Sequence, residues 1–118
     1  MTRSDPHVPL APEAVCAVTT TVASPQDAER LAQVLLQHRL AACVQIEPIT
    51  SHYHWQGALH ADAEWRLVCK TTPEAVPRLL ACLQQEHPYA LPQLLVQPVQ
   101  ASQAYADWVH AQTAQPGL

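Results

Sequence analysis

The sequence predicts an α+β domain in the element order β-α-β-β-α-β, followed by one further helix. Three observations predict it. Two segments carry apolar residues at helical spacing, and each opens on a hydroxyl residue, a proline and a nearby acid: Ser24-Pro25 with Asp27, and Thr72-Pro73-Glu74. The stretches around them are short and β-branched, as strands are. Gly57, one of only two glycines, sits in the middle of a long extended stretch where a hairpin has to turn.

In order, residues 1–13 contain Pro6, Pro9 and Pro12 among polar residues and read as a flexible N-terminal tail. A single domain spans residues 14–113, and residues 114–118 form a C-terminal tail. Ala14–Val22 is a buried strand. In the first helix Ala28, Leu31, Ala32 and Leu35 fall at i, i+3, i+4 and i+7, so they face a sheet, and the helix ends near Arg39. Residues 41–55 are extended, with Pro48 marking a bulge or a sheet edge, since proline donates nothing to a ladder. Gln56-Gly57 turns the chain into residues 63–71, where Trp65, Leu67 and Cys69 alternate with Glu64, Arg66 and Lys70. The second helix starts at the Thr72 signature, carries Val76, Leu79, Leu80 and Leu83 on one side, and stops at His87-Pro88. Leu94–Val99 is a short strand, and Ser102 caps a last helix with Tyr105, Trp108 and Val109 on one stripe. This is the ferredoxin-like, or split β-α-β, arrangement.

The central hairpin is too long for the helices that cover it. A strand of about 14 residues spans roughly 45 Å, whereas a helix of about 15 residues spans roughly 22 Å. The tip therefore overruns its own subunit, and it carries Tyr53 and Trp55. Aromatic residues on a projecting arm predict contact with further copies of the chain.

Composition excludes several function classes. The net charge is −4 and the six cationic residues are scattered, which leaves no footprint for nucleic acid or an anionic membrane. Two glycines cannot build a P-loop or a dinucleotide fingerprint. Cys16, Cys43, Cys69 and Cys82 make no C-x-x-C pair and read as reduced core residues. Residues 1–13 lack the apolar stretch of a secretory leader, and no apolar run approaches the ~20 residues of a membrane span, so a cytoplasmic location is expected. No nucleophile stands beside a base and no cofactor motif is present, so no enzyme activity, catalytic residue or obligatory cofactor is expected.

Two sets of residues suit a metal. Glu86 and His87 adjoin at the end of the second helix, and His52 and His54 are two apart on one strand face, with imidazoles that suit copper or zinc. Pro88 and Pro92 restrict the loop that carries His87 and Tyr89.

Taken in order, "LAAC" (Leu40–Cys43), "YHWQG" (Tyr53–Gly57), "KTT" (Lys70–Thr72) and "HPYALPQLL" (His87–Leu95) resemble the CutA, or divalent-cation tolerance, family from about Val15 to Trp108. The resemblance implies a ferredoxin-like homotrimer with extended hairpins pairing between neighbours. It also implies an inter-subunit cleft where His87 and Tyr89 meet Trp55, Glu64 and Lys70. The implied function is tolerance of divalent cations, with copper or another divalent cation bound at His87 and Glu86 and the chain itself as partner. The alternative is a trimeric small-molecule sensor or adaptor without a physiological metal. Four departures from the family pattern bear on this. Gln93 replaces a glutamate and Ala58 a lysine. Thr20 stands where some members have a copper-associated cysteine, and Glu86 where a second histidine is common.

Overall fold

The computed structural model describes residues 7–114. Its elements are β1 (Leu10–Val22), α1 (Pro25–Gln37), β2 (Cys43–Trp55), β3 (Ala58–Thr71), α2 (Val76–Glu86), β4 (Leu95–Ser102) and α3 (Gln103–Thr113). The four strands form one antiparallel sheet in the order β2-β3-β1-β4, which is the predicted topology. The tails expected at residues 1–6 and 115–118 lie outside the described residues.

Local chemistry accounts for each boundary. β1 begins at Leu10, four residues before the predicted start. Leu10 and Ala11 pair with Ser102 and Ala101, and the register then slips before Val15. Pro12 has no N–H for the ladder and Glu13 takes a left-handed φ of 58°, so the chain bulges and resumes pairing instead of remaining a tail up to residue 13. α1 is capped as predicted, with the Ser24 hydroxyl accepting the Asp27 N–H at 3.1 Å. It ends two residues early in a left-handed turn at Arg39 (φ 54°), where Arg39 N–H bonds Leu36 O at 3.1 Å and Leu40 N–H bonds Leu35 O at 2.9 Å.

β2 and β3 pair without a break from Cys43↔Lys70 to Trp55↔Ala58, and Pro48 is tolerated because β2 is an edge strand. Gln56 (φ 50°) and Gly57 (φ 78°) make the two-residue turn of paired left-handed residues that matches strand twist.

α2 starts at Val76, not at the Thr72 signature. Pro77 has no N–H to close on Pro73, so residues 73–75 form a separate turn held by Ala75 N–H on the Thr72 carbonyl at 3.1 Å. The α-ladder opens with Leu79 N–H on Ala75 O at 2.9 Å. β4 continues to Ser102, beyond the predicted Val99. α3 turns Ala106, Val109 and Thr113 inward, so the predicted stripe is split. Val109 packs near Val15 and Ala11, while Tyr105 and Trp108 remain 38% and 44% exposed.

The main core is α1 and α2 against one sheet face: Leu31, Leu35, Leu79 and Leu83 on Val18, Val22, Leu67 and Cys69. Burial pushes the Cys69 thiol up to about 12, the behaviour of an inert core sulfur. The four cysteines are free, and Cys16 is also buried. No residue of β2 is buried. The radius of gyration is 16.8 Å and the extents are 59 × 43 × 22 Å. A compact chain of this length would have a radius near ~13 Å, so the hairpin projects as its length requires.

Candidate functional site: the groove under the hairpin

β1 ends at Val22 opposite Trp65, which makes Glu64 the first residue of β3 without a β1 partner. The loop from His87 to Leu94 fills the space this leaves. His87 N–H closes α2 on Leu83 O at 2.8 Å, and Pro88 then holds His87 extended (φ −72°, ψ 135°). The His87 ring folds back, and its Nδ1 accepts the Tyr89 N–H at 3.1 Å. The ring proton must then reside on Nε2, which donates to Thr20 Oγ1 at 2.9 Å. Burial holds the imidazole below its ordinary pKa, so the neutral ring is the favoured one.

Tyr89 carries the connection outward. Its hydroxyl donates to Glu64 Oε2 at 2.7 Å, and burial together with that bond pushes the phenol up. A set of hydrogen bonds thus links β1 (Thr20) through the His87 ring, the Tyr89 backbone N–H and the Tyr89 hydroxyl to β3 (Glu64). In front of it lies a groove of about 650 Å³ lined by Thr21, Tyr53, Trp55, Glu64, Tyr89 and Gln93, among others. Tyr53 stacks on His60 with ring centroids 5.4 Å apart, and its hydroxyl donates to Asp62. An aromatic wall facing a single carboxylate suits a small polar or cationic ligand.

Trp55, Glu64 and Tyr89, expected to line a cleft, do meet at this groove. Lys70 does not. Six residues separate it from Glu64, about 20 Å along an extended strand, and its Nζ donates to Gln45 Oε1 at 2.8 Å. His87 lies behind the groove, with both ring nitrogens engaged inside the subunit. The Glu86 carboxylate faces Arg30 Nη1 at 3.3 Å, and its carbonyl accepts Arg30 Nη2 at 2.9 Å, which ties α2 to α1. The pair expected to hold a metal is therefore not gathered as a ligand set in the folded chain. Among the described residues no group of three or more His, Cys, Asp or Glu is placed to hold an ion. His52 and His54 are exposed, and beyond the strand ladder their imidazoles make no hydrogen bond among the described residues.

Sequence reasoning missed Arg30, Asp62 and the anchoring role of Thr20. Asp62 had a signal, being two residues from Glu64 and so on its face. Arg30 had none, because its partner is 56 residues away. Gln93 does line the groove, so its wall carries a neutral amide at that position.

The model of the CutA1 divalent ion tolerance protein matches residues 16–112. The chain belongs to the CutA family. It is 40% identical over 98 residues to the divalent-cation tolerance protein CutA of Thermus thermophilus, covering 81% of this chain and 95% of that one. CutA of Synechococcus elongatus superposes with a TM-score of 0.85 at 41% identity, covering 89% of this chain and 96% of that one. The same Synechococcus protein is also known in complex with a Bis-Tris molecule. A structure described as the periplasmic divalent cation tolerance protein CutA of Archaeoglobus fulgidus superposes with a TM-score of 0.82 at 30% identity, over 85% of this chain and 99% of that one. Among the described residues no helix is long and apolar enough to cross a membrane.

Proposed function

We propose that this CutA family member acts in divalent-cation tolerance as a homotrimer, with the groove completed by a neighbouring copy and copper as its ion. The observation that carries the reading is the hairpin. Its two strands pair with each other without a break, yet no β2 residue is buried, and Trp55 and Leu59 are 46% and 77% exposed at its tip. The other sheet edge, β4, exposes Leu95 and Val96. Two open edges with apolar side chains are what copies of one chain cover for each other.

Copper at Glu86 and His87 requires an exchange, because the ion has to take a ring nitrogen from Tyr89 N–H or from Thr20. Light scattering combined with copper calorimetry tests the reading. The expected particle contains three 13.0 kDa chains, and metal-free protein takes up copper. Binding lost in His87→Ala assigns that pair, and binding that survives it keeps the metal and removes the pair. A folded single-chain particle at micromolar concentration rejects the assembly.

A second reading is a sensor or adaptor without a metal, favoured by the volume of the groove, its aromatic wall and the organic molecule carried by the Synechococcus relative. A metabolite that raises the melting temperature of the wild type but not of Glu64→Gln selects it. Four free cysteines accord with a reducing, cytoplasmic location, and localisation of a tagged full-length chain checks this. The reading assigns the groove binding and no catalysis.

A further inference from the structure

Three histidines lie on the hairpin, and the sheet geometry sorts them. His60 stacks on Tyr53. His52 and His54 are two residues apart on β2, so they stand on the opposite face, where the cross-strand partners are Ala61 and Leu59. That face belongs to the overrun, because the helical core reaches outward only to Trp65 and Val22. Both imidazoles are exposed, neither makes a hydrogen bond among the described residues, and no charged side chain sits opposite them in the register.

We propose that His52 and His54 form a two-imidazole chelate for a first-row divalent transition metal, copper(II) foremost, on the hairpin face that continues the helix-covered face of the sheet, with His52 at the margin of the groove. Two residues of strand separate their Cα atoms by about 6.5–7 Å. Two imidazoles that lean together across that gap can each reach one ion at about 2.0–2.1 Å. Opposite His52 the small Ala61 side chain leaves room for the ion. Imidazole is a good ligand for copper, which takes two such nitrogens in a tetragonal arrangement and fills its remaining positions with water oxygens. The strand ladder holds the spacing in advance, which lowers the entropy lost on chelation. His87, by contrast, has no free nitrogen, as both are bonded to Tyr89 and Thr20.

This inference rests on the copper part of the proposed function and changes the ligands assigned to it. The test is titration of the metal-free full chain with copper(II) at pH 7.4, by calorimetry and by electron paramagnetic resonance. The variants are His52→Ala, His54→Ala, His60→Ala and His87→Ala, each checked by circular dichroism and light scattering. The expected result is one copper per chain with nitrogen coupling from two imidazoles. Each of His52→Ala and His54→Ala should weaken binding by about tenfold or more, while His60→Ala and His87→Ala leave it unchanged. Copper that follows His87 and ignores His52 and His54 overturns the chelate but leaves the copper reading standing. No copper uptake by the wild type overturns both.

Discussion

β3 is one strand with two environments. From Trp65 to Thr71 it places Leu67, Cys69 and Thr71 at 0% exposure beneath α1 and α2. From Ala58 to Glu64 the pairing to β2 continues in the same register, yet no residue is buried. Pairing to β2 is the same in the two halves, but the inner half also pairs with β1 and lies under the helices, and the outer half has neither neighbour. Backbone pairing therefore extends the arm, while side-chain burial stabilises one end of it and leaves the other end for partners and ligands.

The largest expected effect separates the two halves directly. Leu67→Ala should cost about 2–5 kcal/mol of folding stability in urea unfolding, because it empties a closed site in the core. Leu59→Ala lies on the same strand face, and at 77% exposure should change stability by no more than about 0.5 kcal/mol in dilute protein. If the cost at Leu59 rivals that at Leu67, the tip is covered at all concentrations and the contrast between the halves belongs to the isolated chain alone.

Next in size is an edge substitution. Val96→Lys puts a charge on an exposed edge strand that an assembling copy would cover. The dissociation constant of the assembly should rise about tenfold or more in a concentration series by light scattering, with the melting of the dissociated chain unchanged. A variant that assembles like the wild type would move the contact to the hairpin.

The same division governs what could be read from sequence. Patterns within one element were legible. Ala28, Leu31, Ala32 and Leu35 are the buried face of α1, Ser24 caps it, and Gln56-Gly57 turns the hairpin. Relations set by distant residues were not. The spacing of Glu64 and Lys70 was legible, because six residues of strand, about 20 Å, already separate two side chains on one face, but which of them meets the loop from His87 was not. The engagement of His87 depends on Thr20, 67 residues away. The Thr72 hydroxyl accepts the Ala75 N–H at 3.3 Å as its signature predicts, but the missing N–H of Pro77 delays the regular helix to Val76, and only the packing of α3 on Ala11 and Val15 decided that Tyr105 and Trp108 face outward.

The set of hydrogen bonds joining the two halves gives the third prediction. Thr20→Val removes the acceptor for His87 Nε2–H in a buried site, at a cost of about 1–3 kcal/mol. The wild type should also show a pH signature. Burial holds the folded-state pKa of His87 below its unfolded value, so on acidification the unfolded chain takes up the proton first. Stability is then full above about pH 6.5 and falls as the pH drops below it. His87→Gln should flatten that decline in a urea series from pH 7.5 to 5, and a decline of equal slope in the variant would assign the effect to other groups.

The smallest effect is expected where pairing is present but cover is not. Arg66 Nη1 meets Glu47 Oε1 at 2.8 Å across β2 and β3, with the two side chains 41% and 55% exposed. An exposed pair gains little from attraction through water and loses side-chain freedom, so Glu47→Ala should change stability by about 0–1 kcal/mol and less in high salt. The substitution is informative because Glu47 and Arg66 are direct cross-strand partners close to the boundary between the halves of β3. If neighbouring copies close over this face, the pair is desolvated in the assembly. Removing one partner then leaves the other charge unpaired. A small effect in dilute chain that grows with protein concentration would place Arg66 inside the contact, whereas a small effect at every concentration would place the contact further out along the hairpin.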